Sequence, residues 1–445
     1  MSYTDDACCV SLFDFIPEPD QAAIRARTSI VDMTAAIQSA IDHVANSGGG
    51  CVCLPAGTYQ VNGTIQLKKN VTLEGTGKRG SILRHTGTGN CLASTWPINS
   101  STPVDIAVRS LGIINTLGGL NTGAGIYEQG GTYVEFRDLL IENFKYGIIL
   151  NQSELVDIDL CTIQLQSLAS IWLVNGKDIT PEASYSYTNR ISVTRCEINV
   201  AYNGDPNNPQ GFGILDDGGV CHAFRDNNFN GSVTHIRAAG VLNLLISGGE
   251  FEGAANVNLL LDHTRLSGDG VGGCGVVLVE NCALIPKYDR PAIDIRSCHH
   301  LSLVGNAFGN TGITTRALVV GMFNAYMVTE LGTATETIGP VFDHPGSSAT
   351  RLNSTTATLF GTAAYDPPSL AAGASGAIQT MTVTGVNLGD AVEDVSFSAD
   401  QAGVVFHAWV SAANTVSYFA RNVAGANPTD LPSGTLRVKV RRRVF

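Results

Sequence analysis

The chain is poor in charge. Only 15% of its 445 residues are Asp, Glu, Lys or Arg, and 39 acidic residues outnumber 27 basic ones, for a formal net charge of −12. A protein that grips nucleic acid needs a basic stripe to neutralise phosphates, so nucleic acid is excluded as a partner. The one basic run, LRVKVRRRVF at the C-terminus, alternates Arg437, Lys439 and Arg441 with Leu436, Val438 and Val440, which reads as a solvated strand face. No apolar run approaches the roughly 18 residues of a membrane helix, so no membrane span is expected. The N-terminus, MSYTDDACCVSLFDFIPEPD, has early acids and lacks a basic stretch followed by an apolar one, so the expectation is synthesis in the cytosol without a signal peptide. Eleven cysteines, an odd number, cannot complete an intrachain disulfide framework, and most are expected as free thiols. Cys8 and Cys9 offer a cross-link between chains. Cys51 and Cys53 share one side of a strand, but no second Cys or His pair at zinc-type spacing accompanies them, so no metal and no cofactor are expected.

What the chain has is glycine, 49 residues of it, and short β-type segments. One amphipathic helix precedes them: in DMTAAIQSAIDHVANS, Asp32 suits an N-cap, Ala36, Ile37, Ala40, Ile41 and Val44 make an apolar stripe, and Gly48 to Gly50 end the helix. Cys51 to Leu54, Tyr59 to Val61, Thr64 to Leu67 and Val71 to Glu74 then follow as strand-sized pieces separated by Gly, Asn or Pro. An internal repeat extends the pattern. GAGIYEQGG at 123–131 and GFGILDDGG at 211–219 match as G-x-G-I-x-acid-x-G-G, each followed by FRD, at an offset of 88 residues. Shorter echoes run through VTRCEI, FRDNNF, ISGGEF, VENCAL and VGNAF. Asn143, Asn228, Asn281 and Asn306 suit left-handed turn positions. Cys161, Cys196 and Cys282 each precede an inward apolar residue by two, so a stacked cysteine column is expected.

The helix, the Gly-rich turn and LPAGTY at 54–59 resemble the opening of the pectate-lyase-like superfamily of right-handed parallel β-helices, whose phage branch supplies tailspikes and capsule depolymerases. The resemblance implies an all-β chain: a solenoid capped by an N-terminal α-helix, followed by a small antiparallel β-sandwich. The expected organisation is a lead-in or attachment segment at 1–31, the capping helix and solenoid at 32–320, a transition at 321–366, and a sandwich of about five or six strands at 367–445, after the linker-like YDPPSLAAGASG. The last segment resembles the C-terminal domains of phage tail proteins, which implies a homotrimer, a virion location, docking of the N-terminus on other tail or baseplate proteins, and a bacterial surface polysaccharide, capsule or O-antigen, as the ligand.

Hydrolysis of a glycosidic bond needs two carboxylates. In GGEFEG, inward Phe251 leaves Glu250 and Glu252 outward on one face, their Cα atoms about 6.5 Å apart. Asp216 and Asp217 end a strand one coil earlier by this reading, so pairing Asp216 or Asp217 with Glu250 or Glu252 across adjacent coils is the first choice. Asp157 and Asp159, flanking Ile158, form a second pair. The polar loop at 175–190 brings Tyr185 and Tyr187 as flat faces for sugar rings and Arg190 as a further substrate contact. A lyase would need a base and a cation, which Tyr187 with Arg190, or His235 with Arg237, could supply. The competing class is a non-catalytic adhesin or structural tail protein that uses the same rod only to bind.

Overall fold

A computed structural model describes residues 9–97, 102–174, 188–200, 211–262, 264, 273–286, 291–309, 319–320, 325–331, 334–335, 351–354, 358–424 and 428–441. The chain divides into two units, 1–350 and 351–445.

The first unit is a parallel β-helix. Each full coil contributes three short strands, and equivalent strands of successive coils pair in parallel, so that three ladders run along the rod. In one coil they are Glu154–Asp159, Thr162–Gln166 and Ala169–Val174, taken here as the first, second and third ladder. Parallel pairing in register stacks like positions about 4.8 Å apart. The first ladder thereby builds one continuous inward column, Val52, Leu73, Val108, Phe136, Ile158, Val193, Phe224, Ile246, Val279 and Leu303, every member buried. Each such side chain contributes about 1.5–3 kcal/mol by leaving water. The second ladder stacks Ile141, Ile163, Ile198, Phe229 and Phe251, with the two phenylalanine rings 4.7 Å apart. The third stacks Ile126, Ile148, Ile171, Ile214, Ile236 and Leu259.

The 88-residue repeat is three steps along the rod. Glu128 and Asp216 fall in one column of the third ladder through Leu150 and Leu173, and Phe136 and Phe224 fall in one column of the first. Corners between the first two ladders are turned by residues with left-handed backbone, Ser110, Asp138, Leu160, Arg195, Asp226 and Asn281 among them. Asn143 and Asn281 take positive φ as expected, at 64° and 53°. Asn228 and Asn306 do not: Asn228 is an exposed strand residue, and Asn306 is buried, accepting from the Cys282 amide and donating to the Val279 carbonyl. Asn227 makes the same pair of bonds to Cys196 and Val193. Cys161, Cys196 and Cys282 are all buried and lie in one column, but Asn227 and Gly249 stand between the last two, so the expected cysteine stack is interrupted.

The start of the rod is closed by the helix Thr34–Asn46, which buries Ile37, Ala40, Ile41 and Val44. Asp32 lies one residue outside the cap position and accepts from the Thr34 amide, the Thr34 hydroxyl and the Asn62 amide. An additional helix, Glu18–Arg25, lies in the lead-in segment; Pro17 is its N-cap residue and Pro19 stands in its first turn, where a missing amide proton is harmless. The described part of the lead-in packs on the rod: Cys9–Ser11 adds a parallel strand beside Gly50–Cys53, and Leu12, Ile16 and Ile24 are buried. A Cys9–Cys53 disulfide ties it down, so Cys9 is bonded within the chain and does not cross-link chains; eight other described cysteines are free.

The second unit pairs two three-stranded antiparallel sheets around Leu436, Val438, Val440, Val416, Tyr418 and Phe406. Its boundary lies earlier than expected. Thr358–Tyr365, assigned from sequence to a transition, pairs along its whole length with Gly434–Arg441 and so belongs to the sandwich. Among the described residues no helix is long and apolar enough to cross a membrane.

Candidate functional site

The structure separates the four acids placed together from sequence. Asp216 and Asp217 end a third-ladder strand, whereas Glu250 and Glu252 lie on the second ladder in the strand Glu250–Ala254. A whole coil, with strands His222–Arg225, Asn228–Asn230 and Thr234–Ala239, stands between them, so they are not in adjacent coils. Asp216 and Asp217 are also fully buried. The first accepts from His222 Nδ1 at 2.7 Å and from the Gly218 amide at 3.3 Å; the second accepts from the Trp172 indole at 2.7 Å. Glu128, the acid of the other repeat copy, is buried too and accepts from the Gly131 amide and the Ser153 hydroxyl. Burial raises its pKa to about 8. The repeated acid therefore caps a turn from inside the rod, and the aspartates that a polymer would need to reach are sealed from it.

Glu250 and Glu252 point outward and are exposed, with Phe251 inward, as strand parity requires. Below them the register stacks Asn228 and Glu197 on one column and Asn230, Asn199, Gln164 and Glu142 on the other, so the outer face of the second ladder is a polar plaque.

A concave site lies on the first ladder. A cavity of about 390 Å³ is lined by Asp105, Arg109, Tyr133, Glu135, Asp157 and Arg190, among others. Its rim comes from one backbone device: Asp105, Tyr133, Leu155 and Arg190 all have φ between 45° and 63° and each immediately precedes an inward residue, Ile106, Val134, Val156 and Ile191. The left-handed residue interrupts strict alternation and turns its side chain out, leaving Tyr133 53% exposed. On the floor, Glu135 and Asp157 are direct partners across adjacent strands, which puts their backbones one ladder spacing apart. Arg109 grips Glu135 through two bonds, Nε to Oε1 at 3.0 Å and NH2 to Oε2 at 2.7 Å, and the hydrogen bonds to that carboxylate raise the arginine pKa further. Asp157 is exposed.

Arg190 thus reaches a site, and Asp157 has a carboxylate neighbour other than the one expected. Asp159 is committed elsewhere: Arg195 holds it at 3.0 and 2.7 Å and Arg137 approaches at 3.6 Å. Tyr185 and Tyr187 lie outside the described residues. His235 is a core residue, between Phe229 and Phe251, and burial lowers its pKa to about 3; Arg237 pairs with Asp262 at 3.2 Å. Those two are no surface base and cation. Asp262 is the buried hub of this ion network, joined also by Arg296. Sequence reasoning passed over Glu135, Tyr133, Asp105 and Arg109, although aligning Phe136 with Ile158 as stacked inward residues would have set Glu135 beside Asp157.

Three stacked ladders with a helical cap leave one fold to compare. A family model for rhamnogalacturonase A/epimerase, pectate lyase-like, matches residues 26–117. The fold shared with the solved structures is the parallel β-helix. Solved structures similar to this β-helix include the A-module of the mannuronan C-5 epimerase AlgE4 of Azotobacter vinelandii, at 15% identity and TM-score 0.54, covering 77% of this chain and 100% of that one. PfbA, a surface adhesin of Streptococcus pneumoniae, is similar at 14% identity and TM-score 0.53 over 76% of this chain and 93% of its own. A tailspike protein of E. coli bacteriophage HK620, solved in complex with a pentasaccharide, is similar at 13% identity and TM-score 0.50 over 98% of this chain and 93% of its own. No curated protein matches the chain in sequence.

Proposed function

We propose that this β-helix binds a bacterial surface polysaccharide and hydrolyses it at the first-ladder cavity, with Glu135 and Asp157 as the carboxylate pair. The observation that carries the proposal is their adjacency on the cavity floor, in register on neighbouring strands, beneath an exposed Tyr133. Two carboxylates side by side on neighbouring strands are the pair that glycosidic hydrolysis needs, one as general acid and the other as nucleophile or base. The tyrosine ring offers an apolar face to a sugar, and Arg190 at the rim offers donors to ring hydroxyls or to an acidic substituent. Arg109 fixes Glu135 in one orientation, which favours a carboxylate placed for reaction over one that samples many rotamers. The stacked polar plaque of Glu142, Gln164, Asn199, Asn230 and Glu252 supplies further hydrogen-bonding groups along the same rod, as an extended polymer needs.

This reading takes its ligand class from the saccharides named for the neighbours, a bound pentasaccharide for the tailspike and mannuronan for the epimerase. It carries with it a tailspike-like role on a virion, a homotrimer and attachment of the N-terminus to other tail proteins. Hydrolysis at Glu250 and Glu252 is the second reading, favoured by their exposure on one side of Phe251.

Incubation of the purified protein with capsule or O-antigen preparations, followed by assay of new reducing ends, tests the proposal. Release that stops in Asp157→Asn and Glu135→Gln but continues in Glu250→Gln supports the first reading, and the reverse pattern supports the second. Ultraviolet absorbance from an unsaturated uronate would make the enzyme a lyase. A polymer that is bound and never cut would make the protein an adhesin.

A further inference from the structure

The lead-in strand brings together three sulfurs that the sequence keeps apart. Cys9–Ser11 lies parallel to Gly50–Cys53 with Cys9 opposite Cys51, and Gly50–Cys53 in turn pairs with Val71–Glu74, Cys53 opposite Glu74. Val52 points into the core and is fully buried, so Cys51 and Cys53 share the outer side. The ligand atoms of Cys9, Cys51 and Cys53 all lie within 4.8 Å of one another. Cys51 Sγ is 3.8 Å from Cys53 Sγ and 3.8 Å from Glu74 Oε2. Two thiolates bound to tetrahedral Zn²⁺ at about 2.3 Å stand about 3.8 Å apart. The group opens on a cavity of about 770 Å³ also lined by Asn70, Thr72 and Glu74, so an ion has access.

We propose that Cys9, Cys51, Cys53 and Glu74 form a Zn²⁺ site in the reduced protein, and that the Cys9–Cys53 disulfide is the metal-free, oxidised state of the same residues. A dithiol reductant opens the disulfide with two electrons and two protons, giving two thiols and leaving the reductant as its own disulfide. Zn²⁺ then displaces one proton from each of three thiols and takes the Glu74 carboxylate as fourth ligand. Oxidised glutathione reverses this by thiol–disulfide exchange: the Cys9–Cys53 bond re-forms, two molecules of reduced glutathione leave and the ion is released. Either state fastens the N-terminal strand to the first coil. Cys51-x-Cys53 lacked a partner at zinc spacing in the sequence because the third thiol comes from 42 residues upstream of Cys51, through the parallel strand.

The test is Co²⁺ titration of the full-length protein, reduced with a phosphine under anaerobic conditions. The expected result is one equivalent bound with thiolate-to-cobalt charge transfer and tetrahedral visible bands, displaced by Zn²⁺, and no such spectrum in the oxidised protein. Cys51→Ser, which leaves the disulfide intact, is expected to weaken binding at least tenfold, and Glu74→Gln to weaken it less. Reduced protein is expected to melt at a higher temperature with Zn²⁺ than with chelator. No stoichiometric spectrum in the reduced protein, or one unchanged in Cys51→Ser and in Cys51→Ser/Cys53→Ser, as it would be if exposed Cys221 held the ion, overturns the proposal.

Discussion

Glu128 and Asp216 on the inside of the third ladder, and Glu135 and Asp157 on the outside of the first, are carboxylates on strands of one rod, and their surroundings give them opposite work. The inner pair is fully buried, and each member accepts from a backbone amide at the turn that follows it. The outer pair lies side by side on the floor of an open cavity. Residue type and local sequence do not separate them, since both kinds sit in strands among apolar neighbours. What separates them is which side of the strand each occupies and what the next coil places there. Inner acids should therefore register in stability, and outer acids in activity.

The largest expected effect is on catalysis. Asp157→Asn or Glu135→Gln is expected to lower the rate of reducing-end release by about 10²–10⁴-fold while the melting temperature stays within about 2 °C of the parent. Next is Asp216→Ala, which leaves His222 Nδ1 without its buried acceptor; urea unfolding is expected to show a loss of about 1–3 kcal/mol, with binding of the polymer unchanged once the protein is folded. If Asp216→Ala instead abolishes cleavage at full stability, the division between inner and outer acids fails.

Glu128 adds a pH signature. Its folded pKa of about 8 stands above the ordinary 4.5, so between those values the folded chain holds a proton that the unfolded chain has released. Its contribution to stability is complete below about pH 4.5 and is lost as pH rises through 8. Glu128→Gln is expected to flatten that loss, seen as a smaller fall in melting temperature between pH 6 and pH 9. The buried histidines act in the other direction. Burial lowers His85 to about 4 and His235 to about 3 from 6.5, so below about pH 6.5 the unfolded chain takes up protons that the folded one cannot, and stability falls as the solution becomes more acidic. The smallest effect is at the rim, where Arg190→Ala is expected to weaken polymer binding several-fold and leave kcat near the parent value, measured by titration calorimetry and steady-state rates.

The same contrast explains what could be read in advance. Helix periodicity, Gly punctuation and the 88-residue repeat report local geometry and inward parity, and these gave the capped solenoid and the outward setting of Glu250 and Glu252. Asp216 was misplaced because a G-x-G-I-x-acid-x-G-G segment reads the same whether its acid caps a turn from inside or faces a ligand from outside. Glu135 escaped notice because its partner lies one coil away, and the length of each coil varies with its loops. The sandwich boundary shifted for a related reason: Thr358–Tyr365 gains its strand character from Gly434–Arg441, far along the chain.

The central claim rests on Asp157 as an outward carboxylate that reacts without holding the fold together. Measuring reducing-end release and melting temperature on the same preparations of the parent and Asp157→Asn tests it most directly. The account predicts at least a hundredfold slower release at an unchanged melting temperature; parental rates in Asp157→Asn, or a rate that falls only as far as stability does, would contradict it.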